Sequence, residues 1–189
     1  IPLETPIGCT VTKFDPSTNY KLLRDVIVSF PDVFWIILLE GNMKRPIKSK
    51  NVKVFEWPDA ETRRKVFNVS NFFISTNELD YRNVYTMQAM ACELPIIVPK
   101  KGYFANENLI DVLAEEKKGI ELYDYGFALR ELSLENYKNC VEDMVKSAYW
   151  GELHDFRPRD HFDAFDLSSD TFGYKWRALL EDCCDHIKH

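Results

Sequence analysis

The sequence predicts one α/β domain over residues 1–189, built on a Rossmann-like parallel sheet with crossover helices. Apolar runs of strand length alternate with helical patterns through most of the chain. The run "VFWIILLEG" is apolar on both faces, as is typical of parallel strands that helices cover on each side. We expect an α/β core at about 7–130 and a C-terminal helical segment at 131–189.

The alternation predicts the following order of elements. Strands are expected at 7–14, 33–41, 52–57, 71–76 and 95–99, with a last short strand at 119–123. Helices are expected at 15–30, 59–70, 82–93, 106–116 and 134–150, and a closing helix at 171–187. Asp15 is the predicted N-cap of the first helix, because Pro16 suits a first helical position.

Composition excludes several classes of function. The net charge of -6, without clustered Lys and Arg, argues against a broad nucleic-acid surface. No apolar run reaches the roughly 18 residues that a membrane span needs. Five Cys without a CxxC motif indicate neither a disulfide framework nor a zinc site, so a reducing, cytoplasmic compartment fits best.

A metal site in "HDFRPRDH" (154–161) is the weaker alternative to a polar loop, since its spacing matches no metal motif. The chain begins with Ile1 and no leader, so we expect a processed piece or a fragment.

The loop at 76–83 is the first candidate for ligand binding, because parallel sheets bind ligands at the carboxyl ends of their strands. The start of the next helix exposes unpaired N–H groups that accept anions. The loop also holds Glu78, Asp80, Arg82 and Asn83, whose side chains can bind hydroxyl groups or phosphate. The alternative is that Asp80 or Asn83 only caps the helix.

The segment "DYRNVYTMQAMACELPII" (80–97) resembles the signature of the group 1 glycosyltransferases, the nucleotide-sugar enzymes of the GT-B fold. Further resemblance lies in "VTKFDPSTNYKLLRDVIVSFPDVFWIILLEGN", in "VKVFEWPDAETRRKVFNVSNFFIST" and in "KKGYFANENLIDVLAEEKKGIELYD", where "GIELY" corresponds to the family's "G-l-l-v" strand. The resemblance covers about residues 7–187 and implies the C-terminal, donor-binding domain of such an enzyme.

The resemblance also implies roles for individual residues. Asp80 and Gln88 correspond to the family's paired glutamates, of which the first contacts the donor sugar and the second the ribose. Lys13 corresponds to a cation that holds the diphosphate, so Asp80 and Lys13 are the implied catalytic residues.

Other implied donor-binding residues lie in neighbouring loops. Tyr103 and Phe104 belong to a loop that faces the donor, and Arg82 and Asn83 flank Asp80. Backbone near Glu56 and Trp57 would meet the nucleobase, although Trp57 alternatively packs under its loop.

The sequence departs from the family pattern at several positions. Tyr81, Asn83 and Glu93 stand where the family has glycine. Thr18 stands at the family's second cation, for which Lys21, Arg82, Lys100 and Lys101 are candidate substitutes.

The implied activity is transfer of a sugar from a UDP- or GDP-linked nucleotide-sugar to an unknown acceptor, with retention at the anomeric carbon and without metal or cofactor. A missing N-terminal domain or a partner chain would supply the acceptor site. The alternative is a degenerate, non-catalytic domain that serves as a structural or protein-interaction module, which the altered Glu, Gly and Lys positions favour.

Overall fold

The computed structural model describes residues 5–13, 18–41, 47, 49–78, 84–100, 115–117, 119–158 and 160. Eight strands within these residues form one sheet. They are β1 (Ile7–Thr12), β2 (Phe34–Leu39), β3 (Val52–Glu56), β4 (Phe72–Ile74), β5 (Ile96–Pro99), β6 (Glu115–Lys117), β7 (Ile120–Tyr123) and β8 (Gly126–Leu129). The predicted α/β architecture is thereby confirmed, whereas the division of the chain near residue 130 stays a prediction.

The sheet order is β3-β2-β1-β4-β5-β8-β7-β6. All pairings along β3-β2-β1-β4-β5-β8 are parallel. The two remaining pairings, β8 with β7 and β7 with β6, are antiparallel. From β1, the chain adds β2 and β3 on one side of the sheet and then β4 and β5 on the other side. This is the doubly wound arrangement, and its switch point lies between β1 and β4. The carboxyl ends of β1 and β4 therefore flank the crevice where such sheets bind ligands.

The antiparallel edge corrects two sequence-based predictions. The last strand in the described residues is β8 and not 119–123, and β8 extends the parallel sheet beside β5. Glu115 and Glu116, predicted as the end of a helix, belong to strand β6. The two-residue turn Asp124–Tyr125 joins β7 to β8 and allows the short antiparallel hairpin that the strand-helix alternation did not reveal.

Four helices cover the two faces of the described sheet: α1 (Tyr20–Ser29), α2 (Ala60–Val69), α3 (Val84–Ala91) and α4 (Leu134–Trp150). Helices α2 and α3 pack on one face, where Val66, Phe67, Ala89 and Met90 join the core with Cys9. Each helix begins or ends within a few residues of its predicted bounds, as is usual for predicted helix ends.

Helices α1 and α4 pack on the opposite face. There, Leu23, Ile27, Tyr137 and Val141 meet the other core cluster around Trp35. A short 3-10 helix, Glu152–Asp155, follows α4. No helix in the described ranges is both long enough and apolar enough to cross a membrane.

Helix α1 begins later than predicted. Its first residue is Tyr20 rather than Pro16, and its N-cap is Asn19 in the left-handed conformation at φ 50. Asparagine tolerates this conformation better than most residues, so the chain turns at Asn19 before the helix starts. Asp15 and Pro16, the predicted N-terminus, lie outside the described residues.

Candidate functional site

Hydrogen bonds join the two loops at the switch point of the sheet. The Thr76 hydroxyl, after β4, donates to the Thr18 carbonyl at 2.7 Å. The Thr18 hydroxyl donates in turn to the Lys13 carbonyl, after β1, at 2.8 Å. Thr18 and Thr76 are both buried, so these bonds hold the main chain on either side of the crevice in one arrangement. Thr18 therefore has a structural role where the family has its second cation.

Helix α4 contacts the chain beside the same crevice through Tyr137. The buried hydroxyl of Tyr137 donates to the Ser75 carbonyl at 2.7 Å, which fixes the chain directly after β4. Burial raises the pKa of Tyr137 well above its usual value, so the phenol stays protonated and able to donate.

Replacing Tyr137 by phenylalanine is expected to lower the free energy of unfolding by about 1–3 kcal/mol, because the Ser75 carbonyl loses its buried donor. Urea denaturation measures the change. Tyr149→Phe is the matched control, since Tyr149 is exposed on the same helix and should change stability little. An equal effect of the two substitutions would contradict the role of the Tyr137–Ser75 bond.

Lys13, the implied diphosphate cation, lies at the carboxyl end of β1. Its side chain is 59% exposed, and its ammonium is 3.4 Å from the carboxylate of Glu40, which is 21% exposed. Strands β1 and β2 pair Thr12 with Leu39, so the next residue of each strand is the pair that forms this contact. Lys13 thus stands at the predicted place, with an acidic neighbour that the motif did not reveal.

A buried carboxylate binds several side chains at the carboxyl edge of the sheet near β5 and β8. Glu121, in β7, is 0% exposed, and its two oxygens accept from the side chains of Lys100 and Arg130. The Tyr123 hydroxyl also donates to Glu121 and accepts from Lys100 at 3.1 Å. Burial alone raises the pKa of Glu121, but the hydrogen bonds from Lys100, Tyr123 and Arg130 outweigh it and hold that pKa below its usual value of 4.5.

This Glu121 cluster changes the interpretation of Lys100. The sequence offered Lys100 as a substitute second cation, but its ammonium is engaged by Glu121 and Tyr123. Of the other candidates, Lys21 is exposed in the first turn of α1.

The loop after β3 presents an exposed aromatic ring. Trp57 is 69% exposed, so the alternative that it packs under its loop is wrong. Its backbone has φ 51, an uncommon conformation for a bulky residue and one that is often found at ligand sites. Beside it, Arg63 donates to the Pro58 carbonyl at 2.8 Å and lies over the Tyr85 ring, which links the loop to α2 and α3.

Two further predicted residues are described. Gln88 is half-buried in α3, about one turn after the helix begins at Val84. Glu56 ends β3 and is exposed. Because Phe55 belongs to the core on the α2 and α3 face, strand alternation assigns Glu56 to the opposite face, with Leu39, its partner in β2.

The remaining predicted site residues lie outside the described part of the chain: Asp80, Tyr81, Arg82, Asn83, Lys101, Tyr103 and Phe104. Their roles stay predictions. Within the residues that are described, no group of three or more His, Cys, Asp or Glu side chains could hold a metal ion.

Glu93, at a family glycine position, retains the backbone that glycine favours. Helix α3 ends at Ala91, Glu93 follows two residues later at φ 61, and the Leu94 N–H donates back to the Ala89 carbonyl at 3.1 Å. This is the pattern of a left-handed helix C-cap. The turn that leads from the helix into β5 is therefore kept although the glycine is replaced.

Replacing Glu93 by glycine is expected to stabilise the protein by about 0.5–1 kcal/mol, because relief of the left-handed strain exceeds the added entropy of the unfolded chain. Thermal or urea denaturation measures the gain. The control is Glu142→Gly, an exposed position within α4, which should destabilise by about 1 kcal/mol. A loss of stability in Glu93→Gly would contradict the proposed strain.

Comparison with solved structures finds glycosyltransferases. Staphylococcus aureus TarM, in a complex with fondaparinux, alpha-GlcNAc-glycerol and UDP, has a TM-score of 0.69 at 16% identity, over 93% of this chain and 35% of that one. The catalytic domain of starch synthase IV from Arabidopsis thaliana, bound to ADP and acarbose, has a TM-score of 0.64 at 16% identity, over 93% of this chain and 38% of that one.

A third structure is the C-terminal domain of a group 1 family glycosyl transferase, LpcC, from Francisella tularensis. Its TM-score is 0.61 at 11% identity, and the match covers 87% of this chain and 88% of that domain. No protein-family model and no curated protein matches the sequence. The chain has the fold of a GT-B glycosyltransferase domain, and it spans only about 35% of TarM.

Proposed function

We propose that this domain binds a nucleotide-sugar donor for transfer of the sugar to an acceptor. The observation that carries the proposal is the position of Lys13 beside the β1–β4 switch point of a GT-B fold. In this reaction the bond from the anomeric carbon to the diphosphate breaks, and the acceptor hydroxyl bonds to that carbon and loses its proton. The nucleoside diphosphate leaves with negative charge, which a lysine ammonium stabilises.

Four residues have proposed roles around the donor. Lys13 binds the diphosphate, Gln88 binds the ribose hydroxyls, and Asp80 contacts the sugar. Trp57 is an exposed aromatic ring suited to pack against the nucleobase. The donor is UDP- or GDP-linked and needs no metal, and the anomeric configuration is retained. These roles rest on the resemblance together with the observed positions of Lys13, Gln88 and Trp57.

The acceptor site belongs, in this proposal, to a second domain on another segment or on a partner chain. This fits the small share of TarM that the chain spans. The proposed reducing, cytoplasmic location rests on the sequence alone, whose five Cys include no CxxC motif.

A non-catalytic structural or interaction module is the second candidate function. It is favoured by one observation: the two lysines described at the carboxyl edge, Lys13 and Lys100, each have a carboxylate partner. If these ion pairs persist in the presence of nucleotides, the edge lacks the free cations that diphosphate departure needs.

Calorimetric titration with UDP, GDP, ADP and their glucose esters tests the proposal. We expect saturable binding of one base, weakened by about 10- to 100-fold in Lys13→Ala through loss of a charge-assisted bond. Gln88→Ala should weaken it by about 2- to 10-fold. Lys146→Ala, which removes an exposed lysine of α4, is the control and should leave affinity unchanged. No binding at millimolar nucleotide would overturn the proposal in favour of the structural module.

A further inference from the structure

The contact between Lys13 and Glu40 follows from the sheet register and not from chance approach of two long side chains. Thr12 pairs with Leu39, and the Glu40 N–H donates to the Thr12 carbonyl at 2.9 Å. Glu40 is thereby held one strand away from Lys13, at the same level of the edge. The Lys13 carbonyl is also fixed, since it accepts from the Thr18 hydroxyl at 2.8 Å. In this arrangement an anion at the Lys13 ammonium also lies near the Glu40 carboxylate, which is 3.4 Å from that ammonium.

We infer that Glu40 determines which phosphate species this site favours: it disfavours a free nucleoside diphosphate relative to the same nucleotide esterified with a sugar. The inference rests on the proposed function and adds a specificity-determining residue to it. Glu40 offsets part of the Lys13 charge and repels the terminal phosphate group.

The discrimination follows from the charges of the two ligands. A free terminal phosphate has a second pKa near about 6 and is close to doubly ionised at neutral pH, whereas a sugar ester leaves that phosphate with a single charge. The carboxylate of Glu40 lies 3.4 Å from the Lys13 ammonium, so a phosphate that binds this ammonium lies near a charge of its own sign and is repelled by it. The more highly charged product therefore loses more affinity to Glu40 than the donor does.

The consequence for turnover concerns product release. A domain that holds nucleoside diphosphate as tightly as donor is inhibited by its own product. Because Glu40 lies beside Lys13, it lowers the affinity for the nucleoside diphosphate product. Lys13 still contacts the diphosphate during transfer. Glu40 is only 21% exposed, so its effect is screened less by salt than that of a fully solvated carboxylate.

The test compares the dissociation constants of UDP and UDP-glucose, and of the guanosine and adenosine pairs, for wild type and Glu40→Gln. We expect Glu40→Gln to tighten UDP binding more than UDP-glucose binding, so that the affinity ratio shifts by about three-fold or more toward the free diphosphate. The shift should shrink as salt is raised, which a merely structural effect would not do. Glu40→Asp keeps the charge and should retain most of the wild-type ratio.

Asp143→Asn is the matched control. It removes one negative charge from an ion pair with Lys146 on α4, away from the carboxyl edge, and should leave the ratio unchanged. An unchanged ratio in Glu40→Gln, with nucleotide binding that still depends on Lys13, would overturn this inference alone. Binding seen only in Glu40→Gln would overturn the inference and the proposed function, because the wild-type protein would then bind neither ligand. Absence of nucleotide binding in both proteins would overturn the proposed function and the inference together.

Discussion

Gly126→Ala is expected to unfold the protein or to lower its free energy of unfolding by at least about 4 kcal/mol, since backbone strain and overpacking add at this position. A Cβ atom at residue 126 would lie 2.1 Å from the Ile96 carbonyl oxygen and 2.7 Å from the Ile96 nitrogen. Both atoms belong to the backbone of β5, the central strand beside β8, and cannot move aside without breaking the sheet. Gly126 also has φ +134, which L side chains rarely adopt.

The control for Gly126 separates backbone strain from steric clash. Gly41 has nearly the same backbone, at φ +137, but a Cβ there meets no atom of the described residues within 4 Å. Gly41→Ala should therefore cost only the conformational strain, about 1–2 kcal/mol. Urea denaturation of both variants measures the difference. If Gly126→Ala costs no more than Gly41→Ala, the close packing of β5 on β8 is wrong.

Glu121→Ala is expected to have the next largest effect, a loss of about 3–5 kcal/mol of unfolding free energy. The substitution removes the carboxylate that Lys100, Tyr123 and Arg130 share, and it leaves the partly buried Lys100 ammonium without its counter-charge. Glu61→Ala is the matched control, because Glu61 pairs with Lys65 on the exposed surface of α2 and its loss should cost at most about 1 kcal/mol. Equal losses in the two variants would contradict the importance of the Glu121 cluster.

The Glu121 cluster also predicts a pH dependence. Hydrogen bonds lower the pKa of Glu121 in the folded protein below the 4.5 expected of the unfolded chain. The stabilisation from its ionised form is therefore complete above about pH 5 and is lost as the pH falls below 4.5 toward the folded pKa. The stability difference between wild type and Glu121→Gln should shrink over this range. A difference that stays constant between neutral pH and pH 3 would contradict this assignment.

The strands of the parallel core and their order along the chain could be predicted from the sequence, because the signal of each strand is local. Apolar runs such as Phe34–Leu39, bounded by helices with one apolar face, require burial on both sides of a sheet. The start of helix α2 was predictable for the same reason. Asp59 was expected there, and its carboxylate caps the helix by accepting from the Thr62 N–H at 2.7 Å.

The antiparallel edge was not predictable in the same way. "GIELY" reads as one strand, and Gly126 reads as an ordinary turn residue. Only the tertiary structure reveals that Gly126 starts β8, where the absence of a Cβ allows close approach to Ile96. The resemblance matched "GIELY" to the family's "G-l-l-v" strand. In the structure, "GFAL" in β8 is the strand that pairs with β5.

In the candidate site, too, local features could be predicted and contacts between different strands could not. The place of Lys13 at the carboxyl end of β1 could be predicted because it depends on a local strand signal, whereas its role at the site stays a prediction. Its neighbour Glu40 and the pairing of Lys100 with Glu121 were missed, since each contact joins residues from different strands. Sequence spacing cannot reveal which charges a sheet register brings together, although that register decides whether a lysine is available to a ligand.

Amide chemical-shift mapping of the wild-type protein during titration with UDP, GDP and ADP tests the central claim most directly. We expect saturable shifts for one nucleotide, concentrated at the carboxyl edge on the amides of Lys13, Thr76 and Gln88. The β7–β8 turn at Asp124–Tyr125, on the opposite edge of the sheet, should not shift. Saturable shifts at that turn instead, or none with any nucleotide at millimolar concentration, would contradict a donor site at the β1–β4 switch point.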